Sequence, residues 1–227
     1  MYMRSLLTPI FKKFLTPGEK AALRTLLTEF KISSNHRAGL RQIRRKALSA
    51  PARINLGCGP VVKEGFLNVD LFPGGDLTLD LRRGLPFVSG SAELIFSEHF
   101  FEHIEYPEPI YSLFADIYRV LKPGGALRFS IPDAAWPLHD YRDGLSAPYF
   151  RACAENAWWH RDYCTTRMEH INFHFRQVGQ HRFAYDEETA RKVLGKAGFA
   201  DVSRVGFEAG LDSAHREVGS LFLLARK

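Results

Sequence analysis

From residue 52 onward the chain alternates short apolar runs with turn residues and longer amphipathic stretches. Arg53 to Leu56, Phe66 to Asp70, Leu77 to Asp80, Ala92 to Ser97 and Ala126 to Ile131 each have the length and bounding residues of a strand. Between them, Ile110, Leu113, Phe114, Ile117, Val120 and Leu121 recur at helical spacing and stop at Lys122-Pro123-Gly124-Gly125. Asp186 caps a second helix with Ala190, Val193, Leu194 and Ala197 on one side and Gly198 at its end. Two closing strands are predicted near Val202 to Phe207 and Ser220 to Ala225. Strands alternating with helices predict a parallel α/β sheet.

The first fifty residues follow a different pattern. Thr16-Pro17-Gly18-Glu19 has the form of a capping box with proline at the first helical position, and Leu23, Leu26, Leu27 and Phe30 would line one apolar face. A second helical segment is predicted from Arg37 to Leu48, with Leu40, Ile43, Ala47 and Leu48 on one side and Arg41, Arg44, Arg45 and Lys46 elsewhere. Charge separates this arm from the rest. It holds eleven Lys/Arg against Glu19 and Glu29, a net of +9, within a chain whose formal charge is +6, so the remainder carries −3. The arm therefore reads as a basic helical extension over residues 1–50, followed by one α/β domain over 51–227. Packed on that domain it would be an appendage. With Leu6, Leu7, Ile10, Phe11, Phe14 and Leu15 beside Lys12 and Lys13, it would suit an anionic membrane surface, and less well a nucleic acid.

Composition narrows the class. Three scattered cysteines, Cys58, Cys153 and Cys164, make no disulfide framework and suggest a reducing setting. No run reaches membrane-spanning length, and the start lacks the apolar block of a signal peptide. The expected location is cytoplasmic, with peripheral membrane attachment through the arm as the variant.

Chemistry gathers where the strands end. The first strand runs into Gly57-Cys58-Gly59, a turn that lets a ligand approach bare backbone. Asp70 and Asp80 close the second and third strands, Glu98 and His99 follow the fourth, and Pro132-Asp133 the fifth. In open α/β sheets ligands bind beyond these carboxyl ends. The ordered set Ile54-Asn55-Leu56-Gly57-Cys58-Gly59, Asn68-Val69-Asp70-Leu71, Asp80-Leu81, Ser97-Glu98-His99 and Leu121-Lys122-Pro123-Gly124-Gly125 resembles class I S-adenosylmethionine-dependent methyltransferases. It looks closest to a small bacterial branch often linked to polysaccharide or glycolipid pathways. The resemblance implies a Rossmann-like, mostly parallel sheet with an antiparallel last strand.

It also implies a cofactor, S-adenosylmethionine, leaving as S-adenosylhomocysteine. By resemblance Leu56, Gly57, Cys58 and Gly59 border its methionine part, with Ser97 beside them. Asn55 stands where the family usually has an acid for the amino-acid end. Asp70, next to Leu71, would accept from both ribose hydroxyls, and Asp80 would face the adenine amino group with Leu81 against the ring.

One departure stands out. Only Pro60 to Gly65 separate the glycine turn from Phe66, whereas a parallel crossover normally takes a dozen residues or more. The helix expected there must be absent or reduced to a turn, and the N-terminal helices could cover the face left bare. A nicotinamide site would need a third glycine at position 62, which is Val62, and an acid later than Asp70. This argues against a dehydrogenase.

Methyl transfer requires an aligned nucleophile, excluded water and often removal of a proton. His99, His103 and Asp133 are the candidate bases, with His99 foremost because it follows the fourth strand directly. Residues 133–185 form an insertion holding Trp136, Trp158 and Trp159, eleven of the twenty-nine aromatics, and five histidines, His139, His160, His170, His174 and His181. It reads as a substrate lid with aromatic faces for sugars or other flat ligands. The pairs His160/Cys164 and His170/His174 have the spacing of ligands on a helix face, but no signature accompanies them and no metal is expected. Three functions fit: O-methylation of a small molecule or glycan, methylation of a nucleic acid recruited by the basic arm, and a non-catalytic methyltransferase-like scaffold.

Overall fold

Strand β1 (Arg53–Leu56) lies inside a seven-stranded sheet, third from one edge. The computed structural model describes residues 15–156 and 159–227, so Leu6 to Phe14 and Trp158, singled out above, lie outside the described residues. The other strands are β2 (Leu67–Asp70), β3 (Leu77–Thr78), β4 (Ala92–Glu98), β5 (Leu121–Pro132), β6 (Asp201–Val205) and β7 (Ser220–Arg226), in the order β3-β2-β1-β4-β5-β7-β6. All pairings from β3 to β5 are parallel, and β7 runs antiparallel to both β5 and β6. The sheet is thus mostly parallel with an antiparallel last strand, as the sequence suggests.

Strand periodicity divides the sheet into two unlike faces. Ile54, Leu56, Ile95, Leu127, Phe129, Ile131, Leu221 and Leu223 join one aliphatic core with the buried residues of α2 (Glu108–Val120) and α6 (Glu187–Ala197). The stripe Ile110, Leu113, Phe114, Ile117 and Val120 is buried throughout, at about 1.5–3 kcal/mol per large side chain. Asp186 caps α6 by accepting from Thr189 N–H, and Gly198 ends it in the left-handed region.

The alternate residues, Asn55, Asn68, Phe96, Glu98 and Arg128, face the other way. No helix forms between β1 and β2. Instead the Asn55 amide donates to Asn68 Oδ1 at 3.0 Å, Lys63 N–H donates to the same oxygen at 2.8 Å, and the Asn68 amide donates to Asp76 Oδ2 at 3.0 Å. These bonds satisfy buried polar groups that a crossover helix would otherwise cover. The loop between β6 and β7 closes the rest of this face. Ser213 gives its N–H and hydroxyl to the Glu98 carboxylate at 2.8 and 2.7 Å, and Asp212 pairs with Arg128.

The N-terminal arm therefore does not cover that face. It forms one continuous helix, α1 (Pro17–Arg45), rather than two segments, because nothing between Phe30 and Arg37 breaks it. Its start is as predicted: Thr16 and Glu19 make both bonds of the capping box. Only its C-terminal half packs, burying Ile32, His36, Gly39 and Ile43 at the β3 edge. Gly39 permits this approach, since a β-carbon there would stand 2.4 Å from the Thr78 carbonyl oxygen. The face carrying Leu23, Leu26, Leu27 and Phe30 is exposed, Phe30 by 65%, instead of being an inward stripe.

The 133–185 insertion adds α3 (Ala135–Asp140), α4 (Pro148–Glu155) and α5 (Arg167–Arg176). Tyr149, Phe150 and Cys153 form a small core of its own, with Trp136, Tyr141 and Trp159 packed on it.

Candidate active site

At the carboxyl end of β1, Gly57 and Gly59 both take positive φ, +66° and +52°. The Gly57 and Cys58 N–H groups donate to the Val69 carbonyl, which ties the turn to β2. A β-carbon on Gly57 would come within 2.5 Å of the Phe100 ring, whereas one on Gly59 would meet nothing within 4 Å. The turn is closed beneath and open above. Asp70 fixes it from the side, accepting Gly59 N–H at Oδ2 (2.8 Å) and Phe72 N–H at Oδ1 (2.9 Å). A carboxylate has about four acceptor positions, so two remain for a ligand's hydroxyls. Cys58 is buried, and burial with the nearby Asp70 charge pushes its thiol up to about 11.

Other anticipated contacts are turned elsewhere. Asn55 is committed to the β1–β2 crossover. Asp80 closes its own turn, accepting Arg82 N–H, Nε and Nη2, and Arg82 continues to Glu29 of α1. Leu81 and Leu56 belong to the core, and Ser97 donates its hydroxyl to the Leu56 carbonyl at 2.9 Å. These five are engaged within the fold. Leu71, next to Asp70, is half-buried at its rim.

Beyond the ends of β4, β5 and β7, beneath the insertion, lies a cavity of about 220 Å³. Its lining includes His99, Glu102 and His103 from the segment after β4, Trp159, His174 and His181 from the insertion, and Arg216. Burial holds the imidazoles neutral. His181 and His160 are pushed down to about 4 and His174 to about 3, while His103 is lowered by burial more than its bond to Gln180 raises it.

The three candidate bases are not equivalent. His99 stands at φ +49°, a strained position for a non-glycine residue. Arg216 Nη1 donates to its Nδ1 at 2.9 Å, which leaves the ring proton on Nε2, where it donates to Ser220 Oγ at 2.7 Å. Both ring nitrogens are occupied. Asp133 accepts Ala135 N–H at 3.0 Å and pairs with Arg204 at 3.5 Å. His103 is different: its Nδ1–H donates to the Gln180 carbonyl at 3.1 Å, so Nε2 carries an unengaged lone pair at the cavity. The foremost position thus passes from His99 to His103.

Residues 73–129 match the family model of a methyltransferase domain. Over this quarter of its length the chain is similar to a methyltransferase domain. No curated protein matches it. Solved structures similar to this chain include an S-adenosylmethionine-dependent methyltransferase from Archaeoglobus fulgidus, at 15% identity and TM-score 0.47, covering 89% of this chain and 99% of that one. Another, from Mesorhizobium loti, has 18% identity and TM-score 0.45, covering 81% of this chain and 95% of that one. The phosphoethanolamine N-methyltransferase 2 of Haemonchus contortus, bound to S-adenosylmethionine, has 16% identity and TM-score 0.44, covering 79% of this chain and 49% of that one.

Sequence reasoning missed Glu102 and Arg216 of this cavity, and it counted His181 only as one histidine of the insertion. Glu102 is 1% exposed, both its oxygens lack a hydrogen-bond partner among the described residues, and burial pushes it up to about 8. The run His99-Phe100-Phe101-Glu102-His103 held the signal, an acid between two cavity histidines. Arg216 left none, being more than a hundred residues away in the chain.

Proposed function

We propose that the protein transfers the methyl group of S-adenosylmethionine to a hydroxyl of a small molecule or glycan held in the imidazole-lined cavity. The observation carrying this reading is the cavity itself, which has His99 in its lining, while the next residue, Phe100, lies against Gly57 of the glycine turn. Its volume is below the roughly 300–1,000 Å³ of drug-sized sites, which suits one ring of an acceptor rather than a nucleic-acid strand. Trp159 and Phe173 offer flat faces, as sugars require. On the donor side Gly57 to Gly59 take the methionine part and Asp70 the ribose.

In the transfer, a lone pair on the acceptor oxygen forms the new C–O bond as the C–S bond breaks and its electrons return to sulfur. The hydroxyl proton leaves at the side of the cavity where Glu102, His103 and His181 meet. His103 is the catalytic residue, while His99 and Asp133 are positioning residues whose polar atoms are already paired. His103→Ala should lower turnover about 10²- to 10⁴-fold with little change in cofactor affinity. Formation of S-adenosylhomocysteine with a panel of hydroxylated sugars and their lipid conjugates measures this. Unchanged turnover in the variant, or methylation of RNA alone, would overturn the reading.

The exposed face of α1 supports an acceptor presented at a membrane. Leu23, Leu26, Leu27 and Phe30 share that face with Arg37, Arg41, Arg44 and Arg45, all opposite the buried Ile32, His36, Gly39 and Ile43. Apolar residues for the acyl boundary and arginines for phosphates suit an anionic lipid surface.

A further inference from the structure

We infer that Glu102, His103 and His181 form a binding site for a divalent first-row transition-metal cation. One ligand atom from each residue lies within 4.8 Å of the other two, and His103 Nε2 stands 3.9 Å from Glu102 Oε1. Proximity alone would mean little. Three further features point to a cation.

The first is the carboxylate. Glu102 is fully buried, and neither oxygen accepts a hydrogen bond from the described residues. Leaving a buried polar group unpartnered costs roughly 1–3 kcal/mol, so such a group in a native cavity calls for a partner. Arg216 does not supply it, because its guanidinium is turned onto His99 Nδ1.

The second is the orientation of the two imidazoles. His103 donates Nδ1–H to the Gln180 carbonyl at 3.1 Å, and His181 donates Nδ1–H to the His174 carbonyl at 2.9 Å. A carbonyl can only accept, so each neutral ring has its proton on Nδ1 and its lone pair on Nε2. Metal-bound histidines are held in this way, with the second nitrogen anchored by a backbone carbonyl that fixes tautomer and ring direction. The Gln180 and His174 carbonyls thus act as positioning groups.

The third is the donor set. Two neutral imidazoles and one carboxylate suit Zn²⁺, Co²⁺ or Fe²⁺, with the remaining coordination positions open to the cavity. Bonds of about 2.0–2.2 Å would draw the three atoms inward by less than about 1 Å each.

A second histidine cluster, Cys153, His160 and His170, is the weaker candidate. There His160 Nδ1 and His170 Nδ1 already share a hydrogen bond at 2.7 Å, so the rings satisfy each other.

Where the acceptor enters this cavity, its hydroxyl would complete the coordination sphere. With the cation bound, His103 would serve as its ligand and no longer as the base: the metal would supply Lewis-acid assistance to the hydroxyl, whose proton would go to solvent. That consequence rests on the methyl-transfer reading, but metal binding does not. Tag-free, chelator-treated protein should take up one equivalent of Zn²⁺ in a calorimetric titration with submicromolar affinity. With Co²⁺ it should develop visible absorption of a nitrogen- and oxygen-ligated ion. Glu102→Gln and His181→Ala should each weaken Zn²⁺ at least 100-fold, and His170→Ala should leave it unchanged. Thermal stabilisation by S-adenosylhomocysteine, retained in the two weakened variants, would show that fold and donor site persist. No saturable uptake, or uptake that survives Glu102→Gln, or uptake abolished by His170→Ala, would overturn the inference. A chain that binds Zn²⁺ as described but methylates no hydroxyl would overturn only the proposed function.

Discussion

The two sides of the site are built from different materials. The donor edge is mostly backbone: the glycine turn is fixed by its own N–H groups on the Val69 carbonyl, with one carboxylate, Asp70, beside it. Every part lies within residues 55–72, held by the β1–β2 register. The acceptor cavity is mostly side chain, with groups drawn from the end of β4, the insertion and the loop before β7. Strand pairing can preorganise the first side with little more than glycine. The second depends on burying polar rings, and burial keeps them neutral. A donor common to many reactions suits the first construction, and an acceptor particular to one suits the second.

The largest expected effect tests the backbone side. Gly57→Ala places a methyl group in the Phe100 ring at a φ of +66°, and strain plus overpacking should cost about 2–5 kcal/mol. Chemical denaturation measures it, and a loss under about 0.5 kcal/mol would mean that the turn is not closed beneath. Next comes Asp70. S-adenosylhomocysteine at a hundred times its dissociation constant should stabilise the wild type by about 2.7 kcal/mol. Asp70→Asn keeps an acceptor for the turn but loses the charge, so most of that stabilisation should go. A full shift in the variant would remove Asp70 from the donor site.

Acid should separate the two sides. Burial lowers His160 from its ordinary 6.5 to about 4, and its neighbour His170 is lowered as well. Below pH 6.5 the unfolded chain takes up protons that the folded insertion refuses. Stability contributed by the neutral rings is therefore present above pH 6.5 and lost as pH falls towards 4. Discounted for partial exposure, the loss should be about 2 kcal/mol. His160→Gln should flatten that part of the pH profile. An equally steep profile in the variant would place the acid sensitivity elsewhere.

The smallest effect on stability belongs to the arm. Arg41→Glu with Arg44→Glu should change unfolding free energy by less than about 0.5 kcal/mol, since both side chains are exposed. The pair should still abolish sedimentation with anionic vesicles. Equal binding of both proteins, or none by the wild type, would leave α1 without a lipid role.

What the sequence revealed follows the same division. The strand positions, the α2 stripe and the Asp186 cap were legible because apolar periodicity and capping are local signals. The missing crossover helix was legible too, from the count of residues between Gly59 and Phe66. The partners that Asn55 and Asp80 take within the fold were not. Both carry hydrogen-bonding groups a cofactor could use, and only the fold shows that Asn68 and Arg82 engage them first. His99 outranked His103 for a similar reason, since position after a strand says nothing of Arg216 waiting at Nδ1. Leu23 to Phe30 form the one apolar face that their spacing predicts, but periodicity marks a face and not the side on which water lies.

Helix α1 is 29 residues, about 44 Å at 1.5 Å per residue, yet only the part from Ile32 onward rests on the sheet. Isolated helices of the length left over are marginal in water. The arm is thus a single rod with a gradient of protection, its amide protons exchanging fast near Leu23 and slowly near Ile43. A surface that received the outer half would supply the order that the domain does not.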